Sequence, residues 1–434
     1  MKVLLLGLGR ANLKVAEYLI NQKEEVYLYE ENRELLSPKA QEIIKSGKIK
    51  DFIDITYDLA VASPGFPPNK WIIERLKIEN VPVIDEIEWT FQNLNLPKEK
   101  IIAITGTNGK STTAALVGNI LNTAGLKYFL GGNIAPGRPF SHALFEERKE
   151  YYVLEVSSFQ LTRIVNFCPH IAVLTNISRD HLNWHNDLSE YINAKKKIFM
   201  NQSSVDYGVL NIADSFTAEI RKDIPSRVIY FGPNARDGSW LNDSFHFQKE
   251  MVLKKEGLQL IGKHNESNIM AAICVAKILG IDNRSIEKGI NSFRGLPHRL
   301  EEVGKKNGIL YINNSMCTNE ASAIASFNAV KGNKIVILGG KKKGDEGKDY
   351  LNLLLDEAKA CVLLGENAPE IARYFDERNY NRYRIARDMP EAVSLAREFA
   401  QPGDVILLNP GFASFGLFRD FQERGEAFKD AVQR

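Results

Sequence analysis

Residues Thr105 to Thr112 read TGTNGKST, between the apolar run IIAI at 101–104 and the helix-forming stretch AALVGNIL from Ala114. This order predicts a strand, a tight loop of Gly106, Thr107, Asn108 and Gly109, and a helix start. Such a loop surrounds a polyphosphate with backbone N–H groups at a positive helix end. Lys110 adds an ammonium, and Ser111 or Thr112 brings a hydroxyl within reach of a magnesium ion. A strict phosphate loop has glycine where this chain has Ile104. The chemistry implied is binding of a nucleoside triphosphate, ATP, with magnesium.

Other reactive residues follow apolar runs. Glu155 closes YYVLE and precedes VSSFQ, and an acid at such a strand tip is a usual magnesium ligand. After HIAVLT comes Asn176, with Asp180 and His181 close behind. The stretch YINAKKKIF at 191–199 predicts a helix, and on residue type alone its lysines are a solvated face. Near the start, Gly7, Gly9, Arg10 and Asn12 follow a strand, and Glu30 ends the next one, imitating a dinucleotide fingerprint. Asn12 stands where the third glycine belongs. NAD, another nucleotide and a purely structural turn all remain open there, with Ser63 and Gly65 forming a second loop at the same edge. An NAD dehydrogenase would leave the TGTNGKST loop unexplained.

The elements that must hold these residues are continuous apolar runs alternating with helix-period segments. That pattern predicts an α/β chain with parallel sheets buried on both faces. The 434 residues suit about three domains. We place a Rossmann-like N-terminal domain at 1–96, a central phosphate-loop ATPase-type domain at 97–297 and a C-terminal Rossmann-like domain at 298–434. Segment 231–260, rich in Gly, Asn and Asp, predicts a hairpin-bearing excursion. Strands are expected at 334–338, 360–364 and 404–408, and the loop after the last one, PGFASFGLF, enters a helix whose N–H groups suit a carboxylate. A net charge of +2 gives no basis for nucleic-acid or membrane affinity. Four scattered cysteines favour reduced thiols, and no stretch approaches a membrane span, so a cytoplasmic, monomeric protein acting on small molecules is expected.

In chain order, GTNGKST, EVSSFQL, NISRDHLNWH, YINAKKKIF, GKHNESN and LPHR resemble the Mur ligase family over essentially the whole chain. SSFQL is the most specific, and points to members that join D-glutamate to UDP-N-acetylmuramoyl-L-alanine. The resemblance implies an ATP-dependent amide ligase of cell-wall precursor synthesis. Lys110 would hold the phosphates, Thr112 and Glu155 one magnesium, and His181 a second. Lys195 would be carbamylated and ligate that second ion. Asn265, Asn268, Arg299 and Asn314 would surround the nucleotide. Asn133, Ser157 and Gln160 would face the UDP-muramoyl substrate, with Gly9, Arg10, Asn12, Glu30, Ser63 and Gly65 at its UDP end. Thr318, Lys343, Ser414, Phe415 and Phe421 would receive the amino acid. The chain departs from the family where Asp-Ser-Lys-Ala-Thr-Asn becomes Asn314-Ser-Met316-Cys-Thr318-Asn, and at Ala135. Loss of those charges leaves another amino acid, such as L-glutamate, as the alternative. A non-catalytic ATP-binding module is the alternative of another class.

Overall fold

The computed structural model describes residues 1–134, 137–180, 184–258, 260, 262–342, 347–414 and 416–434, without the side chains of Leu35 and Ala321. Three sheets organise them. The first comprises β1 (Lys2–Leu6), β2 (Glu25–Tyr29), β3 (Lys50–Asp51), β4 (Leu59–Ala62) and β5 (Val83–Asp85), in order β3-β2-β1-β4-β5. All its pairings are parallel.

The second sheet comprises β6 (Ile101–Thr105), β7 (Tyr128–Gly132), β8 (Tyr151–Glu155), β9 (Ile171–Leu174), β10 (Tyr207–Asn211), β11 (Arg227–Phe231), β12 (Ser239–Leu241), β13 (Ser244–Phe247) and β14 (Glu250–Lys254). Its order is β14-β13-β12-β11-β10-β9-β6-β8-β7. The excursion expected after residue 231 is the antiparallel meander β12–β14 at one edge. The third sheet comprises β15 (Glu301–Lys306), β16 (Ile309–Asn313), β17 (Lys334–Leu338), β18 (Ala360–Leu364), β19 (Tyr383–Ala386) and β20 (Val405–Leu408). Its order is β15-β16-β20-β17-β18-β19. It is parallel except for β15, which pairs antiparallel with β16.

Val, Ile and Leu fill the central strands, and every residue of β6 is buried. A strand covered on both faces cannot alternate polar and apolar residues, which is why these runs read as continuous. Two compact bodies result, one of Met1–Leu258 with His264–Phe293, the other containing Arg294–Arg434. The first two sheets therefore share one body. Among the described residues no helix is long and apolar enough to cross a membrane.

Candidate active site

In the second sheet β6 lies between β9 and β8: the chain leaves β6 for β7 and β8 on one side, then crosses from β8 to β9 on the other. Loops at the carboxyl ends of such strands open a crevice where ligands gather. The loop of Gly106 to Gly109 emerges there and runs into the Lys110–Thr123 helix. Gly106 takes φ +145° and Gly109 φ +82°, in the region glycine favours. A Cβ at Gly106 would lie 1.9 Å from Thr175 Oγ1, and one at Gly109 2.2 Å from Asn268 Oδ1.

Neighbouring segments hold this loop by hydrogen bonds. The Thr107 N–H donates to Asn176 O at 2.8 Å. Thr107 Oγ1 accepts the Ser178 N–H at 3.0 Å and lies 2.9 Å from the Tyr191 hydroxyl. The Asn108 N–H donates to Asn176 Oδ1 at 3.0 Å, while Asn108 O accepts from Thr175 Oγ1 at 2.6 Å. Lys110 Nζ donates to Thr107 O at 2.8 Å. Ser111 and Thr112 are buried in the first helical turn. On the Lys263–Ile278 helix, Asn268 donates to Asn265 Oδ1 at 2.9 Å and accepts from Thr113 Oγ1 at 3.3 Å.

Glu155 ends β8 in register with Ile104, so its carboxylate stands beside the entry to the loop. It is 3% exposed, and among the described residues its Oε2 accepts no hydrogen bond. A buried carboxylate oxygen left without a donor is costly unless a cation or water completes it. Lys195, on the Leu188–Lys196 helix, is 1% exposed and donates to Gly106 O at 2.6 Å. Its Nζ also lies 4.6 Å from the centre of the Tyr191 ring. Burial, reinforced by the Lys110 ammonium, pushes the Lys195 amine well below the usual lysine value, against the opposing pull of Asp180 and Glu155. Lys110, Glu155 and Asp180 thus all act on Lys195 beside the loop. The lysine run expected to be solvated contains a buried member, a correction to the residue-only reading. Its reason is the i, i+4 spacing that puts Tyr191 and Lys195 on one helix face toward the loop. His181 lies outside the described residues.

Among the described residues no three His, Cys, Asp or Glu side chains gather as a metal site. The oxygen donors beside the loop still suit magnesium, a hard cation that takes oxygen ligands and keeps waters. They are the Thr112 hydroxyl and Glu155 Oε2, which has no donor among the described residues.

A cavity of about 620 Å³ opens between the first sheet and the β7 end of the second. Gly9, Arg10, Glu30, Ser63, Gly65, Asn133 and Gln160 line it. The Arg10–Asn21 helix points its N-terminus at this space, with Gly9 as its N-cap. Glu30 braces the rim, accepting the Leu8 N–H at 3.2 Å and the Asn32 N–H at 3.1 Å. Asn12 and Ser157 lie behind the lining. Asn12 is fully buried and donates to Gly7 O and Val61 O, both at 2.9 Å, tying β1 to β4. Ser157 caps the Ser158–Leu161 helix in a capping box with Gln160. Glu86 also lines the cavity, a residue the sequence reading passed over. It accepts the Ser141 N–H, and burial pushes its carboxyl up to about 7.

The other body holds Arg299, Asn314, Thr318, Ser414 and Phe421. Lys343 and Phe415 lie outside the described residues. Arg299 Nη2 lies 3.0 Å from Met316 Sδ. Asn314 is 3% exposed, accepts the Leu300 N–H at 3.1 Å and donates to Asn409 Oδ1 at 2.8 Å. The Asn409 amide is itself oriented by donating to Ala323 O at 2.9 Å. An aspartate at 314 would set oxygen against oxygen there, which accounts for the asparagine. Ser414 is buried, and Phe421 opens the final helix, its carbonyl accepting the Ser315 hydroxyl at 2.7 Å. Arg424, on that helix and 2% exposed, was not foreseen. It donates to Ser315 O at 2.8 Å, Ser315 Oγ at 3.0 Å and Phe412 O at 3.2 Å, all neutral acceptors. It organises the loop that carries Ser414, and burial lowers its pKa to about 10.

Two family models match the chain: the Mur ligase middle domain over residues 104–276, and the Mur ligase, glutamate ligase domain over residues 298–412. The UDP-N-acetylmuramoylalanine–D-glutamate ligase of Pelotomaculum thermopropionicum is 35% identical over 450 residues, covering 99% of this chain and 97% of that one. That of Natranaerobius thermophilus is 36% identical over 389 residues, covering 87% and 84%. Among solved structures, the UDP-N-acetylmuramate-alanine ligase MurC from Thermotoga maritima matches with a TM-score of 0.65 at 20% identity, over 100% of this chain and 99% of that one. MurF from Acinetobacter baumannii matches with a TM-score of 0.63 at 22% identity, over 80% and 79%. At these identities the solved structures speak for the fold.

Proposed function

The chain belongs to the Mur ligase family, and from that premise we propose that it joins D-glutamate to UDP-N-acetylmuramoyl-L-alanine, with cleavage of ATP to ADP and phosphate. The observation that carries the reading is the gathering of Lys110, Glu155 and Lys195 at the phosphate loop, with one Glu155 oxygen left without a donor among the described residues. The names of the relatives supply the amino acid. We further propose the partition into domains at 1–96, 97–297 and 298–434.

The cavity lined by Gly9, Arg10 and Asn133 is of the size that holds a small-molecule ligand. It would take the UDP-muramoyl substrate, with its pyrophosphate at the helix N-terminus behind Gly9. Asn265 and Asn268 are assigned to the nucleotide, as are Arg299 and Asn314 on the strength of the family. Thr318, Ser414 and Phe421 are assigned to the glutamate, with Lys343 and Phe415.

Thr112, Glu155, His181 and Lys195 as its carbamate are the residues that would hold two magnesium ions. Magnesium there supplies dispersal of charge on the transferring phosphoryl group. Burial favours the unprotonated Lys195 amine, the form that would add carbon dioxide, releasing a proton and becoming an anion. The loop N–H groups and the Lys110 ammonium orient the ATP phosphates. A carboxylate oxygen of the substrate attacks the γ-phosphorus, the bond to ADP breaks, and an acyl phosphate forms. The glutamate amine then attacks the acyl carbon, loses a proton, and phosphate leaves with the oxygen that made the attack. With substrate labelled by ¹⁸O in its alanyl carboxylate, each turnover is therefore expected to place one label in inorganic phosphate. Unlabelled phosphate, measured by mass spectrometry alongside amide formation, contradicts the acyl-phosphate route.

A further inference from the structure

His185 has no role in the chemistry above, yet it is 1% exposed at the centre of the residues that carry it. Its Nε2 is hydrogen-bonded to Ser158 Oγ at 3.0 Å, and Ser158 is likewise 1% exposed. One face of the imidazole stacks on Phe159, with centroids 5.9 Å apart and planes 20° apart. Tyr191 meets it edge-on at 5.3 Å, and the Tyr191 hydroxyl lies 2.9 Å from Thr107 Oγ1 in the phosphate loop. The preceding Trp184 packs on Phe159 at 4.5 Å and under the Arg163 guanidinium at 5.9 Å. Arg163 in turn donates to Phe66 O at 2.7 Å, on the wall of the substrate cavity.

Ser158 and Phe159 belong to the one-turn helix Ser158–Leu161, which follows Glu155 and carries Gln160. So short a helix has little stability of its own and takes its position from what packs against it. Its capping box fixes Ser157 and Gln160 relative to each other, but not relative to the rest of the site. We propose that His185 is a positioning residue: by holding Ser158, it sets the 156–161 turn so that Gln160 meets the UDP-substrate cavity while Glu155 meets the phosphate loop. This rests on the function proposed above. A histidine that merely fills the core would support folding without favouring one substrate over the other.

The test separates ring packing from hydrogen bonding. His185→Phe keeps the stacking on Phe159 and Tyr191 and leaves the Ser158 hydroxyl buried without a partner. Its KM for the UDP-substrate should rise about tenfold, the cost of one such unpaired group. Its KM for ATP should stay within about twofold, since Tyr191 and its bond to Thr107 are retained. His185→Gln, whose amide reaches the same hydroxyl, should restore the UDP-substrate KM. Ser158→Ala should reproduce the Phe variant, and the double variant should be no worse than either single one. Ser158→Ala also carries the test if His185→Phe does not fold. Unchanged KM in His185→Phe and Ser158→Ala, equal increases for both substrates, or additive effects would overturn the proposal. A wild-type protein without turnover would instead overturn the function on which it rests.

Discussion

Replacing Lys195 by alanine should lower turnover by roughly 10²–10³-fold, the scale seen when one electrostatic contact to a developing charge is removed. The argument rests on burial. Lys195 sits at 1% exposure with its amine depressed by desolvation and by Lys110. Burial and the Lys110 ammonium both disfavour the charged form of this lysine, which weakens it as a cation for phosphate and favours the amine that carbamate formation needs. The two roles differ in what rescues the variant. Removal of the side chain leaves a cavity beside Gly106 O, whose partner at 2.6 Å has gone. A carbamate role predicts recovery with formate or acetate. Recovery with short alkylamines, and none with carboxylates, would show that the ammonium itself is what the site uses.

Gly106→Ala should reduce turnover by at least about 100-fold, the consequence of displacing reacting groups by about an ångström. Its Cβ would approach Thr175 Oγ1 to 1.9 Å and the Asn176 backbone nitrogen to 3.2 Å, at φ +145°. Thr175 cannot simply turn aside, because its hydroxyl donates to Asn108 O at 2.6 Å within the same loop. The loop must move, and with it the carbonyl that receives Lys195. Because the strain is local, circular dichroism should change little, while the melting temperature should fall. Combining the change with Thr175→Ala removes the contact but not the unfavourable φ, so only partial recovery is expected. Full wild-type turnover in Gly106→Ala would show that the loop geometry is not what positions the phosphates.

The sequence made the phosphate loop and its flanking elements legible because the signals are local: glycine spacing, continuous apolar runs and a helix start. Glu155 and the cavity glycines were found the same way, at strand ends. The buried state of Lys195 was not, since three consecutive lysines look solvated until Tyr191, one turn away, is seen against Thr107. Thr175, His185 and Arg424 escaped because their partners are distant in sequence: Asn108, Ser158 and Ser315, respectively. Asn12 shows the converse. It occupies a glycine position of a nucleotide fingerprint, yet its side chain ties two strands together. The asparagine at 314 read as a lost charge, and becomes intelligible only beside Asn409. The antiparallel β15 had no distinctive signal, its six residues EEVGKK being polar and edge-like.

The most direct measurement is phosphate release by the full chain with ATP, magnesium and UDP-N-acetylmuramoyl-L-alanine, across a panel of amino acids that includes both glutamate enantiomers. Stoichiometric ADP, phosphate and amide are expected with D-glutamate, and only background release without an amino acid. Preference for L-glutamate would overturn the substrate assignment and leave the ligase chemistry standing. No release with any amino acid would contradict the central claim that this chain is an amide ligase.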